Sequence, residues 1–196
     1  MLRRISFGRV EALFAVVAAL GLVFTQPLKA QDQLTPKYQA SHDVVPFVPT
    51  PMPVVEKMLE LAKVTPKDVV YDLGSGDGRI VIMAAQKFGA HAVGVELDPG
   101  LYHKSWARIE ELGLASKAKI LYGNMFQADV RPATVVTLYL LPGVNEDIRP
   151  MLEKQLRSGT RVVSHDFRVA GWDAVKSEDV KTESGAVHSI YLYIRP

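Results

Sequence analysis

The stretch Val69-Val70-Tyr71-Asp72-Leu73-Gly74-Ser75-Gly76-Asp77-Gly78-Arg79-Ile80 constrains this chain more than any other part of it. It holds a short apolar run, a turn with glycine at alternate positions and the start of a helix-like pattern. A buried strand that feeds a helix through a glycine-rich turn is the opening unit of a parallel α/β sheet. Without a Cβ, glycine permits left-handed backbone and lets a ligand approach the main chain at the crevice beyond the strand's carboxyl end. The spacing is G-x-G-x-G rather than G-x-G-x-x-G, because Arg79 occupies the place of the third glycine of a dinucleotide loop. Asp77 inside the turn would repel a pyrophosphate. A loop flanked by Asp72 and Asp77 suits a ligand that carries positive charge.

The rest of the chain continues the alternation. Strand-like runs fall at Val69–Leu73, Ala92–Glu96, Ala118–Tyr122, Ala133–Leu140 and Thr160–His165, with helical patterns at Arg79–Phe88, Gly100–Leu112 and Asn145–Leu156. The tail departs from that pattern, since Val175–Thr182 and Ala186–Ile194 read as two strands joined at Glu183-Ser184-Gly185, hence a hairpin. The predicted fold is α/β, a doubly wound, mostly parallel seven-strand sheet that ends in an antiparallel C-terminal hairpin. At 196 residues the chain suits one such domain, and the absence of cysteine excludes a disulfide scaffold and any thiolate metal site. The five histidines show no ligand spacing, so no metal is expected.

Residues 1–30 read as a signal peptide or membrane anchor: Arg3, Arg4 and Arg9 precede thirteen consecutive apolar residues, Ala12 to Phe24. That run suits a signal core and is short for a bilayer span, which needs about 20 residues. Either form places the following chain outside the cytoplasm or tethers it to the inner membrane, with residues 12–24 in the bilayer. Residues 31–51 form an extended arm punctuated by Pro46, Pro49 and Pro51, and residues 52–196 form the folded domain, opening on a helix with Val54, Val55, Met58, Leu59 and Ala62 on one face. The leader holds the surplus of positive charge: residues 31–196 carry 19 basic and 20 acidic side chains, which argues against a nucleic-acid partner.

Glu96 follows Gly76 by twenty residues, at the end of the second strand in Gly94-Val95-Glu96-Leu97-Asp98-Pro99. A carboxylate there can accept both hydroxyls of a ribose. Two acids, a glycine loop and no phosphate-binding charge fit S-adenosylmethionine, with its ammonium, sulfonium and nucleoside parts. DLGSGDGR resembles the first motif of the seven-strand S-adenosylmethionine-dependent methyltransferases, and GVELDP their following motif. The resemblance implies that Asp72 and the backbone of Gly74, Ser75, Gly76, Asp77 and Gly78 hold the methionine part. It also implies that Glu96 holds the ribose and that Asn124 contacts the adenine, with Leu97 and Met125 as further cofactor-binding residues. Asn124 stands where the family has an acid, and is otherwise an ordinary turn residue. Pro46-Phe47-Val48-Pro49-Thr50-Pro51 ahead of VVEKMLELA is similar to the small bacterial relatives of the mitochondrial lysine methyltransferases that act on the ATP-synthase c-ring protein and the adenine nucleotide translocase. In that reading Phe47 and Thr50 close over the methyl donor; in the plainer one the arm is a linker.

The resemblance predicts methyl transfer to nitrogen, with a protein lysine as acceptor. Alternatives are a small-molecule N- or O-methyltransferase and a non-catalytic module that binds the cofactor. A nicotinamide oxidoreductase is opposed by Arg79 and Asp77. A lysine amine must lose its proton before it can attack, since its reference pKa is about 10.4. The catalytic candidates are Tyr139, either orienting the amine or packing in the strand, and His165 with Asp166, either a proton acceptor pair or a strand-end cap. Leu140-Leu141-Pro142 lacks the amide that planar-base and carboxamide methyltransferases carry there. Export by the leader conflicts with a cofactor made and kept in the cytoplasm.

Overall fold

The computed structural model describes residues 47–196; the leader and residues 31–46 of the arm lie outside the described residues. Helix α1 (Met52–Leu61) comes first, followed by β1 (Val69–Leu73), α2 (Arg79–Gln86), β2 (His91–Glu96), α3 (Pro99–Glu111), β3 (Ala118–Tyr122), β4 (Val135–Leu138), α4 (Pro142–Gln155), β5 (Arg161–His165), β6 (Lys176–Lys181) and β7 (Val187–Ile194). Among the described residues the strands form one seven-stranded sheet in the order β3-β2-β1-β4-β5-β7-β6. β1 to β5 run parallel, and β7 lies antiparallel between β5 and β6. No helix among these residues is long and apolar enough to cross a membrane.

The central strands β1, β2, β4 and β5 are buried on both faces, so their side chains split by the period of two into two cores. Val70, Ala92, Val135 and Val163 point to the face covered by Val54, Val55, Met58 and Leu59 of α1 and Ile80, Val81 and Ala84 of α2. Tyr71, Val93, Val136 and Val162 point to the other, where Ile148 and Leu152 of α4 pack. Each fully buried aliphatic side chain in these layers contributes about 1.5–3 kcal/mol.

Element ends shift from the sequence reading for local reasons. β4 is shorter than the run Ala133–Leu140, because Tyr139 and Leu140 leave the ladder at the carboxyl edge, where the site lies. α4 begins at Pro142 rather than Asn145, since proline at the first helical position brings the right φ and gives up an amide that has no partner there. α3 starts at Pro99 for the same reason, with the Asp98 side chain capping the Leu101 amide at 2.7 Å.

At the opposite edge of the sheet one carboxylate joins three segments. Asp68, just ahead of β1, accepts from the Thr134 hydroxyl at 2.7 Å, from the Thr65 amide at 2.8 Å and from the Arg161 guanidinium. Burial pushes this carboxyl up, but the hydrogen bonds from Thr134 and Thr65 and the charge of Arg161 outweigh it and hold it below its ordinary value. A depressed folded pKa stabilises the fold above the unfolded value, about 3.9, and the contribution is lost as pH falls through the folded value. Asp68→Asn is expected to lower stability at pH 7 by about 1–3 kcal/mol. Urea midpoints of the two proteins should converge as the pH is taken down toward 3; a gap that stays constant with pH would contradict this account.

Candidate active site

The glycine turn leaves β1 with Gly74, Gly76 and Gly78 all at positive φ, of 77°, 55° and 76°. The amides of Gly74 and Ser75 donate to the Val95 carbonyl at 3.0 Å each, which ties the turn to β2. Glu96, at the end of β2, is 8% exposed; its Oε2 accepts the Gly76 amide at 2.6 Å and its Oε1 the Asp98 amide at 2.8 Å. Each carboxylate oxygen keeps a second lone pair, which leaves capacity for two ribose hydroxyls. Ser75 turns its hydroxyl inward against Gly94, where a Cβ would lie 2.5 Å from it, so its exposed contribution is main chain.

Asp72 is buried in β1, where the register sets it beside Gly94 of β2 and Thr137 of β4. The Thr137 hydroxyl donates to Oδ1 at 2.7 Å. Burial pushes the carboxyl up to about 7; the Thr137 bond opposes this, and the charges of Glu96 and Asp77 add to it. Asp77 is engaged differently. It holds the Arg79 guanidinium through both oxygens, at 2.8 and 2.6 Å. Burial raises its pKa, but the bonds and charge of Arg79 prevail and hold it below the ordinary carboxylate range. Its charge is therefore neutralised by Arg79, and Asp72 with Glu96 are the acids left for a cationic ligand.

Arg79 also fixes the arm: its Nη1 donates to the Thr50 carbonyl at 2.7 Å. The arm does return across the loop. The Phe47 ring covers Gly76 so closely that a Cβ there would fall 2.3 Å from it. Thr50 is buried, with its hydroxyl 3.2 Å from His165 Nδ1. On the other side of the crevice Leu140 and Met125 approach Gly74. Asn124 is buried rather than an exposed turn residue, and its Oδ1 accepts the Phe126 amide at 2.9 Å, opening a 3-10 turn over Met125–Gln127. Leu97, half exposed, stands on the lip.

Tyr139, His165 and Asp166 come together beyond β4 and β5. The Tyr139 ring lies on His165 with centroids 3.8 Å apart. His165 is fully buried, which lowers its pKa to about 4 despite the opposing Asp166 charge. Asp166 follows in left-handed backbone, φ 56°, with its Oδ1 held by the Ser189 amide at 3.0 Å. His188, absent from the sequence candidates, completes the cluster: its Nδ1 is 3.0 Å from both His165 Nε2 and Asp166 Oδ2. Its signal was the register of β7 on β5, which pairs residues more than twenty apart and cannot be read from spacing.

The donor set fits S-adenosylmethionine. Two buried acids and a turn of main-chain groups face the crevice, and the loop's one arginine is already occupied by Asp77 and Thr50. An ammonium ligand favours ionised Asp72, so cofactor affinity is expected to rise with pH through about 7, and Asp72→Asn should flatten that dependence in calorimetric titrations. Glu96→Ala removes two charge-assisted acceptors, each worth about 1.5–3 kcal/mol. Its cofactor affinity should fall at least tenfold; unchanged affinity would remove Glu96 from the site.

Comparison with known proteins agrees. The family model described as the ANTKMT methyltransferase domain matches residues 72–176. A protein-lysine N-methyltransferase of Saccharolobus islandicus is 51% identical over 152 residues, 76% of this chain and 93% of that protein. The adenine nucleotide translocase lysine N-methyltransferase of Mus musculus is 35% identical over 133 residues, 67% of this chain but 57% of that protein. Among solved structures, an RNA methyltransferase from Salinibacter ruber bound to S-adenosyl-L-homocysteine superposes with a TM-score of 0.72 at 50% identity, covering 76% of this chain and 94% of that one. TrmN from Thermus thermophilus, at 18% identity and a TM-score of 0.60 over 73% of this chain and 48% of its own, shares the fold. With the glycine loop and its acids inside the family match, the chain belongs to the ANTKMT methyltransferase-domain family and is an S-adenosylmethionine-dependent methyltransferase.

Proposed function

We propose that the enzyme methylates the side-chain amine of a lysine in a protein substrate. The observation that carries this reading is the 51% identity with the protein-lysine N-methyltransferase of Saccharolobus islandicus, sustained over 93% of that protein. The Salinibacter ruber relative is named for RNA at nearly the same identity. Charge separates the two: residues 31–196 carry 19 basic against 20 acidic side chains, without the cationic surplus that a phosphate backbone requires.

S-adenosylmethionine supplies the electrophilic methyl carbon on its sulfonium sulfur. The chain's task is to align an amine with that carbon and to keep water out. Asp72 and the turn Gly74–Gly78 hold the amino-acid part, and Glu96 holds the ribose. Phe47, fixed through Thr50 and Arg79, covers the loop. Burial, and then the Asp166 charge, raise the Tyr139 pKa, so its phenol stays protonated and its oxygen can accept a hydrogen bond from the acceptor amine. His165 is a positioning residue in this reading rather than a base. It is wholly buried, its Nδ1 is engaged by Thr50 and its Nε2 by His188, and it supports Tyr139 from below. Entry into the covered crevice desolvates the lysine and favours its neutral, attacking form. Asp166, its oxygens held by the Ser189 amide and by His188, belongs to the support beneath Tyr139 rather than to the acceptor amine. The apolar run Ala12 to Phe24 supports a setting at a membrane, tested by sedimentation of the full-length chain with membranes through a high-salt wash.

The test is methyl transfer from labelled cofactor to a cell extract split into protein, RNA and small-molecule fractions, followed by acid hydrolysis. Label recovered as methyl-lysine supports the reading, whereas label in nucleotides or small molecules overturns it. Tyr139→Phe should lower kcat about tenfold or more, roughly 1.4 kcal/mol, with little change in KM for the cofactor.

A further inference from the structure

The three atoms His165 Nε2, His188 Nδ1 and Asp166 Oδ2 form a near-regular triangle. Its edges are 3.0 Å between the two imidazoles, 3.0 Å from His188 to Asp166 and 3.3 Å from His165 to Asp166. Three donors so close, two of them ring nitrogens of different strands, meet the spacing of ligands around a single small cation. At bonds of about 2.0–2.1 Å, as for zinc with nitrogen or carboxylate oxygen, such a triangle subtends angles of roughly 91–111°, spanning octahedral to tetrahedral values. We propose that His165, Asp166 and His188 bind one divalent transition-metal ion, with zinc as the ion best suited to the donor set.

The surroundings are those of a built site. Metal-bound histidines characteristically give their second ring nitrogen to an outer partner, and ligating carboxylates are themselves hydrogen-bonded. His165 Nδ1 faces the Thr50 hydroxyl at 3.2 Å, which fixes the ring with Nε2 turned toward the other donors. Asp166 Oδ1 accepts the Ser189 amide at 3.0 Å, which leaves Oδ2 for the triangle. Asp166 reaches it from left-handed backbone, φ 56°, a conformation uncommon for a non-glycine residue. The ligands come from the end of β5, the residue after it and β7, so an ion would join the antiparallel strand to the parallel sheet. Through Thr50 it would also stiffen the arm that covers the cofactor. Two neutral imidazoles and one carboxylate leave a dication with a net positive charge and room for a further ligand, as in two-histidine, one-carboxylate sites.

The full-length chain, stripped with a chelator, is titrated with Zn²⁺ against a chromophoric competitor, and separately with Co²⁺ read by its visible d–d bands. One ion per chain is expected. Affinity should fall about 100-fold or more in Asp166→Asn and His188→Ala, and about 10–100-fold in Thr50→Ala, the range for loss of an outer partner. His103→Ala, an exposed histidine of α3, should bind as the wild type does. Asparagine tolerates left-handed backbone, so Asp166→Asn keeps the fold even where His188→Ala does not. Equal uptake of zinc by wild type and Asp166→Asn, zero included, overturns the proposal, as does a cobalt spectrum identical to that of the free aqueous ion.

Discussion

Two main-chain amides from different strand ends converge on the Glu96 carboxylate, and the geometry of the crevice depends on that convergence. Gly76 belongs to the turn after β1, Asp98 to the turn after β2, and each donates to its own oxygen. The carboxylate thus holds the glycine turn in register with the start of α3 before any ligand arrives. A buried charge is costly unless hydrogen-bonded, and these two amides meet that cost while leaving lone pairs toward the crevice. Asp72, one strand away, lacks such amides and shares a single hydroxyl with Thr137, which is why it is the acid that burial and neighbouring charge push toward neutrality.

Arg79 links this cofactor half to the arm. Its guanidinium neutralises Asp77 and reaches the Thr50 carbonyl, so one side chain settles both the charge of the loop and the position of its cover. From Thr50 the contacts continue to His165, on which Tyr139 stacks, and from His165 to His188 and Asp166. Donor side and acceptor side are thereby parts of one packed network, with the arm as the element common to both.

The glycine turn and the acids around it were legible as a group because their signals are local. The glycine turn lies within a few residues of β1, and Glu96 stands at the next strand end, where hydrophobic periodicity alone predicts it. The alternation of strands and helices, the seven strands and the antiparallel tail were readable for the same reason. The roles of Arg79 and His188 were not. Arg79 reads as the residue that breaks a dinucleotide motif, and its link to Thr50 depends on how the arm packs. His188 sits in an alternating strand whose partner and register are tertiary facts, and histidines 23 residues apart carry no recognisable ligand spacing. Boundaries shifted where proline at a first helical position extended α4 toward the site.

The Thr50–His165 contact joins residues 115 positions apart, and β7 reaches β5 only after β6 has turned back on it. The core of the cofactor cradle, by contrast, joins Gly76 to Glu96, twenty residues apart. Closing long loops carries an entropic cost that precedes any contact made by their ends, and non-local pairing slows folding. The two halves of the catalytic cleft therefore differ in kinetic character: a cradle that can form early from nearby sequence, and an acceptor wall that exists only once β7 has docked on β5. A molecule caught between those stages would own a place for the methyl donor and nothing opposite it.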